Sequence, residues 1–223
     1  MTTSKSKLTT AWHLLLCLLL AGFSWLMLRI TLDYLPLRDD AGFLQIKQQY
    51  IGIAHWKGAF WIHVFTSLFA LVAGFTQFFP VVLRRLPQLH RGMGKLYVIN
   101  VCFVTGPASL IMAFYANGGF TSRLAFTLLA IGWIGTTAVG WRAAMRRQWS
   151  LHQAWMMRSY ALTLSAITLR AWKYALVFLF EPRPMDLYRV VAWLGFVPNV
   201  LLVEWLIYRR KRQSRPVVDG ASG

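Results

Sequence analysis

The stretch HQAWMMRSYALTLSAITLRAWKYALVFLF, residues 152–180, decides the reading of this chain. It is long and apolar enough to cross a bilayer, which takes roughly 20 mostly apolar residues. It nevertheless carries Arg158, Arg170 and Lys173. A cation inside a span is costly to desolvate, so each needs a partner, a route to the headgroups, or a function.

The composition points the same way. Of 223 residues, 57% are hydrophobic and only 14% charged, and the mean hydropathy is +0.48. Soluble domains carry about a quarter charged residues. Six apolar segments qualify as spans: Ala11 to Leu28, Gly58 to Leu83, Leu96 to Ala116, Ser122 to Trp141, Trp155 to Phe180 and Tyr188 to Tyr208. The expected fold is an all-α integral membrane helical bundle. The first segment follows Lys5 and Lys7 as a signal peptide would. Its apolar run is long for one, and no A-x-A-like site follows, so it reads as a retained span.

The net charge of +17 would suggest nucleic acid in a soluble protein. Here the distribution of basic residues excludes that. With both termini in the cytoplasm, more than half of the Lys and Arg residues fall in inner segments. Among them are Arg84, Arg85, Arg91, Lys95, Arg142, Arg146, Arg147 and the tail Arg209 to Arg215. That is the positive-inside pattern. The predicted organisation is a cytoplasmic N-terminus at 1–10, a six-span domain at 11–208 with an outer loop at 31–57, and a basic, disordered cytoplasmic tail at 209–223. The expected partners are membrane lipids, with anionic headgroups against the basic loops and tail. The bacterial inner membrane is the expected location. In the outer loop, QIKQQYIGIAHW (45–56) reads as a short interfacial helix, with Trp56 and Trp61 at headgroup level. Cys17 and Cys102 sit in apolar runs and read as small hydrophobes.

Polar residues recur inside the spans at helical spacing. In the second span His63, Ser67, Ala70, Gly74 and Gln77 share one face. In the fifth, His152, Trp155, Ser159, Thr163, Ala166, Arg170 and Lys173 do the same. Such faces pack on other helices or line a cavity. Glu204 is the only acid of the sixth span, and its depth matches Arg158. The two are expected to pair, with Gln77 in the same inner layer. Lys173 is placed to snorkel outward. Arg170 is left with three options: donating to backbone carbonyls, reaching Asp33, Asp39 or Asp40, or binding an anionic ligand. Pro198 is expected to kink the sixth span near Asn199, and Thr105 to Pro107 to break the third.

His90 and His152 open the third and fifth spans at similar predicted depth. Two such imidazoles can ligate a haem iron or another metal. Arg91 and Arg158 would then face propionates. His63 lacks a second histidine at its depth other than His55. The ordinary reading of all of them is capping, loop contacts and lipid phosphate, and His13 and His55 read as interfacial. No P-loop, H-E-x-x-H, G-x-S-x-G or C-x-x-C motif is present, so no catalytic residue is assigned.

Several of these pieces occur together: His63 followed by AGFTQF (73–78), HRGMGKLY (90–97), NGG (117–119), HQAWMMRSYALTLSAITLR (152–170) and WLGFVPNVLLVEW (193–205). In this the chain resembles the bacterial multi-pass membrane proteins grouped as domain of unknown function 2306. The resemblance implies the architecture and no activity. Three functions stay open: a bundle binding haem b or a quinone through His63, His90, His152, Arg91 and Arg170; a small transporter or lipid or anion binder; and a structural or assembly factor. In each, Gln77, Arg158, Asn199 and Glu204 form a buried polar network.

Overall fold

The computed structural model describes the backbone of residues 2–213, and the side chains of 15 and 17–213 other than 75, 80 and 81. Within these limits the protein is all-α. Five helices are long and apolar enough to cross a membrane: Ala54–Gly74, Pro87–Phe114, Phe120–Met145, Trp149–Phe180 and Pro184–Gln213. A shorter apolar stretch, Cys17–Leu32, belongs to α1 (Thr2–Leu32), which also contains the first expected span. Large apolar side chains point outward from these helices, among them Leu18, Phe103, Phe120 and Phe178 at 66–87% exposure. That outward apolar surface suits hydrocarbon and would aggregate in water.

The chain divides into two compact units, residues 1–114 and 115–223. In the first, α2 (Ala54–Thr76) packs on α1, on α4 (Pro87–Ile99) and on α5 (Gly106–Phe114), with a π-helical segment at Asn100–Thr105 between the last two. The second span ends at Thr76 and does not reach Leu83. The cause is Pro80, which opens the short α3 (Pro80–Arg85) and forces Phe79 into an extended conformation, φ −83° and ψ 122°. The third span is not broken at Thr105 to Pro107. The helix instead widens into the π segment just before Pro107, whose missing N–H an α-helix would have needed.

The loop at 31–57 folds back on α2. It forms two 3₁₀ turns, Gly42–Ile46 and Gln48–Tyr50, in place of one interfacial helix. The Tyr34 hydroxyl accepts the Phe43 backbone N–H at 2.9 Å. Trp56 is 1% exposed and stacks on Phe60, so it anchors this loop from inside the protein. Lys47 is buried too, its ammonium 4.8 Å from the Tyr50 ring centroid. On the exposed rim, Arg38 holds the Asp40 carboxyl below its ordinary range through their hydrogen bond.

In the second unit α6 (Phe120–Met145) packs along α7 (Trp149–Thr163), which packs on α10 (Val197–Gln213); α8 (Ser165–Phe180) packs on α9 (Pro184–Leu194). The sixth span breaks at Gly195 and Phe196 rather than near Asn199. Pro198 lacks the N–H that would bond Leu194, and its ring crowds that carbonyl, so the break falls upstream of the proline. Arg209 to Gln213 continue α10 as helix, so disorder does not describe the start of the tail. Residues 214–223, and the side chains of the N-terminal segment with His13, lie outside the described residues.

Candidate functional site

The first unit holds a hydrogen-bonded cluster built on the π segment. His63 and Thr66 come from α2, Asn100 and Thr105 from the π segment, and Ser109 from α5. His63 Nδ1 lies 2.8 Å from Ser109 Oγ, and Ser109 donates to the Thr105 carbonyl at 2.7 Å. Because the serine proton goes to that carbonyl, His63 must donate from Nδ1. The Asn100 amide donates to the Thr66 carbonyl at 2.8 Å, and its Oδ1 accepts from Thr105 at 2.8 Å. The Thr66 and Thr105 hydroxyls touch at 2.5 Å.

The π turn is what makes this possible. On an α-helix, residues five apart stand about 140° from each other around the axis. An i→i+5 helix brings them onto one side, so Asn100 and Thr105 meet. Both are buried, at 6% and 0% exposure. The stripe His63, Ser67, Ala70, Gly74 faces inward as expected, with Ala70 fully buried. Asn100, Ser109 and Thr66 carry no expectation from the sequence, and Thr105 only that of opening a break. A lone Asn in an apolar run two residues before a cysteine was the available signal. Gln77 caps α2, donating to Thr76 Oγ1 at 3.1 Å, and its Oε1 lies against Gly94 of α4. His90 lies in the first turns of α4, and Arg91 is exposed beside it.

The second unit holds the ionic part. Arg158 and Glu204 pair in two bonds, Nε to Oε1 at 2.5 Å and Nη2 to Oε2 at 2.8 Å. The Trp155 ring lies under the guanidinium, 4.6 Å from its carbon. Arg158 is therefore committed to Glu204 and is not placed for a propionate. Asn199 donates to the Ala161 carbonyl at 3.1 Å and to Thr168 at 2.8 Å, bridging α10 to the α7–α8 junction. Ser159 meets Thr137 at 2.6 Å, and Trp133 donates to Thr163 at 2.9 Å, joining α6 to α7. Arg170 donates to the Ala166 carbonyl at 2.7 Å, the first of its three options. Asp39 pairs with Lys57 in the first turn of α2, and Asp40 with Arg38 in their own loop.

His152 Nδ1 lies 2.8 Å from the Gly140 carbonyl. A carbonyl only accepts, so Nδ1 carries the proton, and the neutral ring keeps its lone pair on Nε2. Histidines that ligate metals are held this way, through a backbone carbonyl on the other nitrogen. The contact needs α6 and α7 close together, and Gly140 allows it: a Cβ there would stand 2.7 Å from Met156 Sδ and 3.4 Å from its backbone nitrogen. Among the described residues no group of three or more His, Cys, Asp or Glu converges. An ion ligated by side chains alone lacks donors there. A haem brings four of its own and needs one or two from the protein.

No curated protein and no solved structure matches the chain. A family model described as predicted membrane protein (DUF2306) matches residues 60–207, from the start of α2 to the last turns of α10. The matched region holds the π-centred cluster, the Arg158–Glu204 pair and His152, and the chain belongs to this family of membrane proteins of unknown function.

Proposed function

We propose that this protein is a haem-binding membrane protein of the bacterial inner membrane, with both termini cytoplasmic and His152 as an axial ligand. The observation that carries the reading is the His152 Nδ1 bond to the Gly140 carbonyl. It fixes the tautomer and the ring plane, and it leaves Nε2 as the ligating atom. A b-type haem bound there would supply one-electron chemistry. The chain's own part is to hold the imidazole through the Gly140 carbonyl and to keep Arg158 neutralised by Glu204. His63 and His90, both in the first unit, are candidate ligands there in their own right. His63 shares the fixed Nδ1–H tautomer through Ser109. Arg91 and Arg170 are the candidate anion-facing residues, and Arg91 is the more exposed of the two.

The test is the absorption spectrum of detergent-purified protein expressed with haem supplied, air-oxidised and then reduced with dithionite. A Soret band with sharpened visible bands on reduction is expected, and His152→Ala should lose or shift it. His63→Ala and His90→Ala test the histidines of the first unit separately. A featureless spectrum would overturn the reading. The polar clusters would then serve ligand transport or helix packing. The packing alternative has its own support in the network of Asn199, Thr137, Ser159 and Trp133, each joining two helices.

A further inference from the structure

The basic end of α10 carries a separate constellation. Leu201, Trp205, Tyr208, Arg209 and Arg212 follow at steps of three, four or one, so they lie along one side of the helix. All are exposed. The Arg209 guanidinium carbon lies 4.8 Å from the Trp205 ring centroid. Trp205, Tyr208, Arg209, Arg212 and Gln213 surround a surface concavity. Glu204, the only acid on this helix, is held by Arg158, so no unpaired carboxylate from α10 competes for the arginines.

Along this side the chemistry changes in a fixed order: aliphatic at Leu201, aromatic at Trp205 and Tyr208, cationic at Arg209 and Arg212. A phospholipid has the same order from acyl chain to phosphate. The helix C-terminus works against an anion, but its dipole amounts to about half a charge. Four consecutive cationic side chains, Arg209 to Arg212, outweigh it. Stacking on Trp205 sets the Arg209 plane in advance, which lowers the ordering cost of a bidentate phosphate contact.

We propose that this cleft binds one anionic phospholipid, with its phosphate against Arg209 and Arg212 and its chains along Leu201 and Trp205. The site is independent of any haem. A zwitterionic lipid offers the same phosphate but brings its own cation to an already cationic cleft.

The experiment is native mass spectrometry of the full chain in detergent, titrated with phosphatidylglycerol or with phosphatidylcholine. One phosphatidylglycerol per chain should be retained in preference to phosphatidylcholine. Removing both charges in R209Q/R212Q should weaken that binding by about tenfold or more, since each basic residue near a membrane surface contributes strongly. The R84Q/R85Q pair removes the same charge from exposed positions on α3 and should change binding less than about twofold. Trp205→Leu keeps the apolar contact but removes the stacking, and should weaken binding by a smaller factor; it carries the test if the double variant does not fold. Equal losses in R209Q/R212Q and R84Q/R85Q would mean diffuse charge attraction and would overturn the proposal. So would equal binding of phosphatidylcholine, or displacement of the lipid by millimolar inorganic phosphate, which would mark a free-phosphate site.

Discussion

At the scale of single residues, two positions show how a side chain's worth depends on its neighbours. Arg158 is tied to Glu204 in two bonds and stacked on Trp155. Removing one partner strands the other, so each single substitution overstates the value of the pair. A double-mutant cycle with Arg158→Met and Glu204→Gln, read by thermal unfolding in detergent, should give a coupling of about 1–3 kcal/mol. A coupling near zero would mean that the two charges are solvated separately. Gly118 is the second case. Its φ of +84° favours glycine, and a Cβ would strike Ser122 Oγ and press on Arg189 and Tyr188. Gly118→Ala should cost about 1–3 kcal/mol through strain and overpacking. Gly119→Ala meets no atom within 4 Å, although φ is +76°. It should cost less, so the difference between the two variants isolates the steric part.

At the scale of elements, the irregular places carry the polar chemistry. The π segment places Asn100 beside Thr105, and the Gly195–Phe196 break lets Asn199 reach the junction of α7 and α8. Thr105→Val keeps the volume but removes a hydroxyl that bonds Asn100 and meets Thr66. It should destabilise the first unit by about 1–3 kcal/mol, the cost of leaving buried polar atoms unsatisfied. Thr121→Val, on an exposed part of α6, should be near neutral. Equal effects would remove the cluster from the account. The same irregular places mark where sequence reasoning stopped. The Arg158–Glu204 pair was legible because charge inside a span demands compensation and the depths of the two residues matched. The His63 stripe was legible from its three-and-four spacing. The π turn was not: an extra residue per turn leaves no periodic trace over six residues, and the partners Asn100 and Thr105 are off-register under an α-helical spacing. Pro80 and Pro198 were visible, but each proline disrupts the chain on its N-terminal side, so the end of the second span and the break within the sixth lie upstream of expectation.

At the scale of the molecule, each helical unit presents apolar side chains on its surface and hydrogen-bonds polar side chains within itself. The later five of the six expected spans fall on helices long enough to cross a membrane and the first on a shorter apolar stretch, because hydrophobic length is a property of segments. How helices pair was legible only where a charge forced the pairing, as at Glu204. The family relation covers this architecture without attaching a reaction to it. The chemistry therefore rests on the orientation of one imidazole. The measurement that tests this most directly is the Soret spectrum of His152→Gly purified with and without imidazole. If His152 ligates haem through Nε2, the variant should lose the low-spin Soret position, and imidazole should restore it in the cavity vacated by the ring. A Soret band in the variant indistinguishable from that of the unmodified chain, with no response to imidazole, would contradict the account.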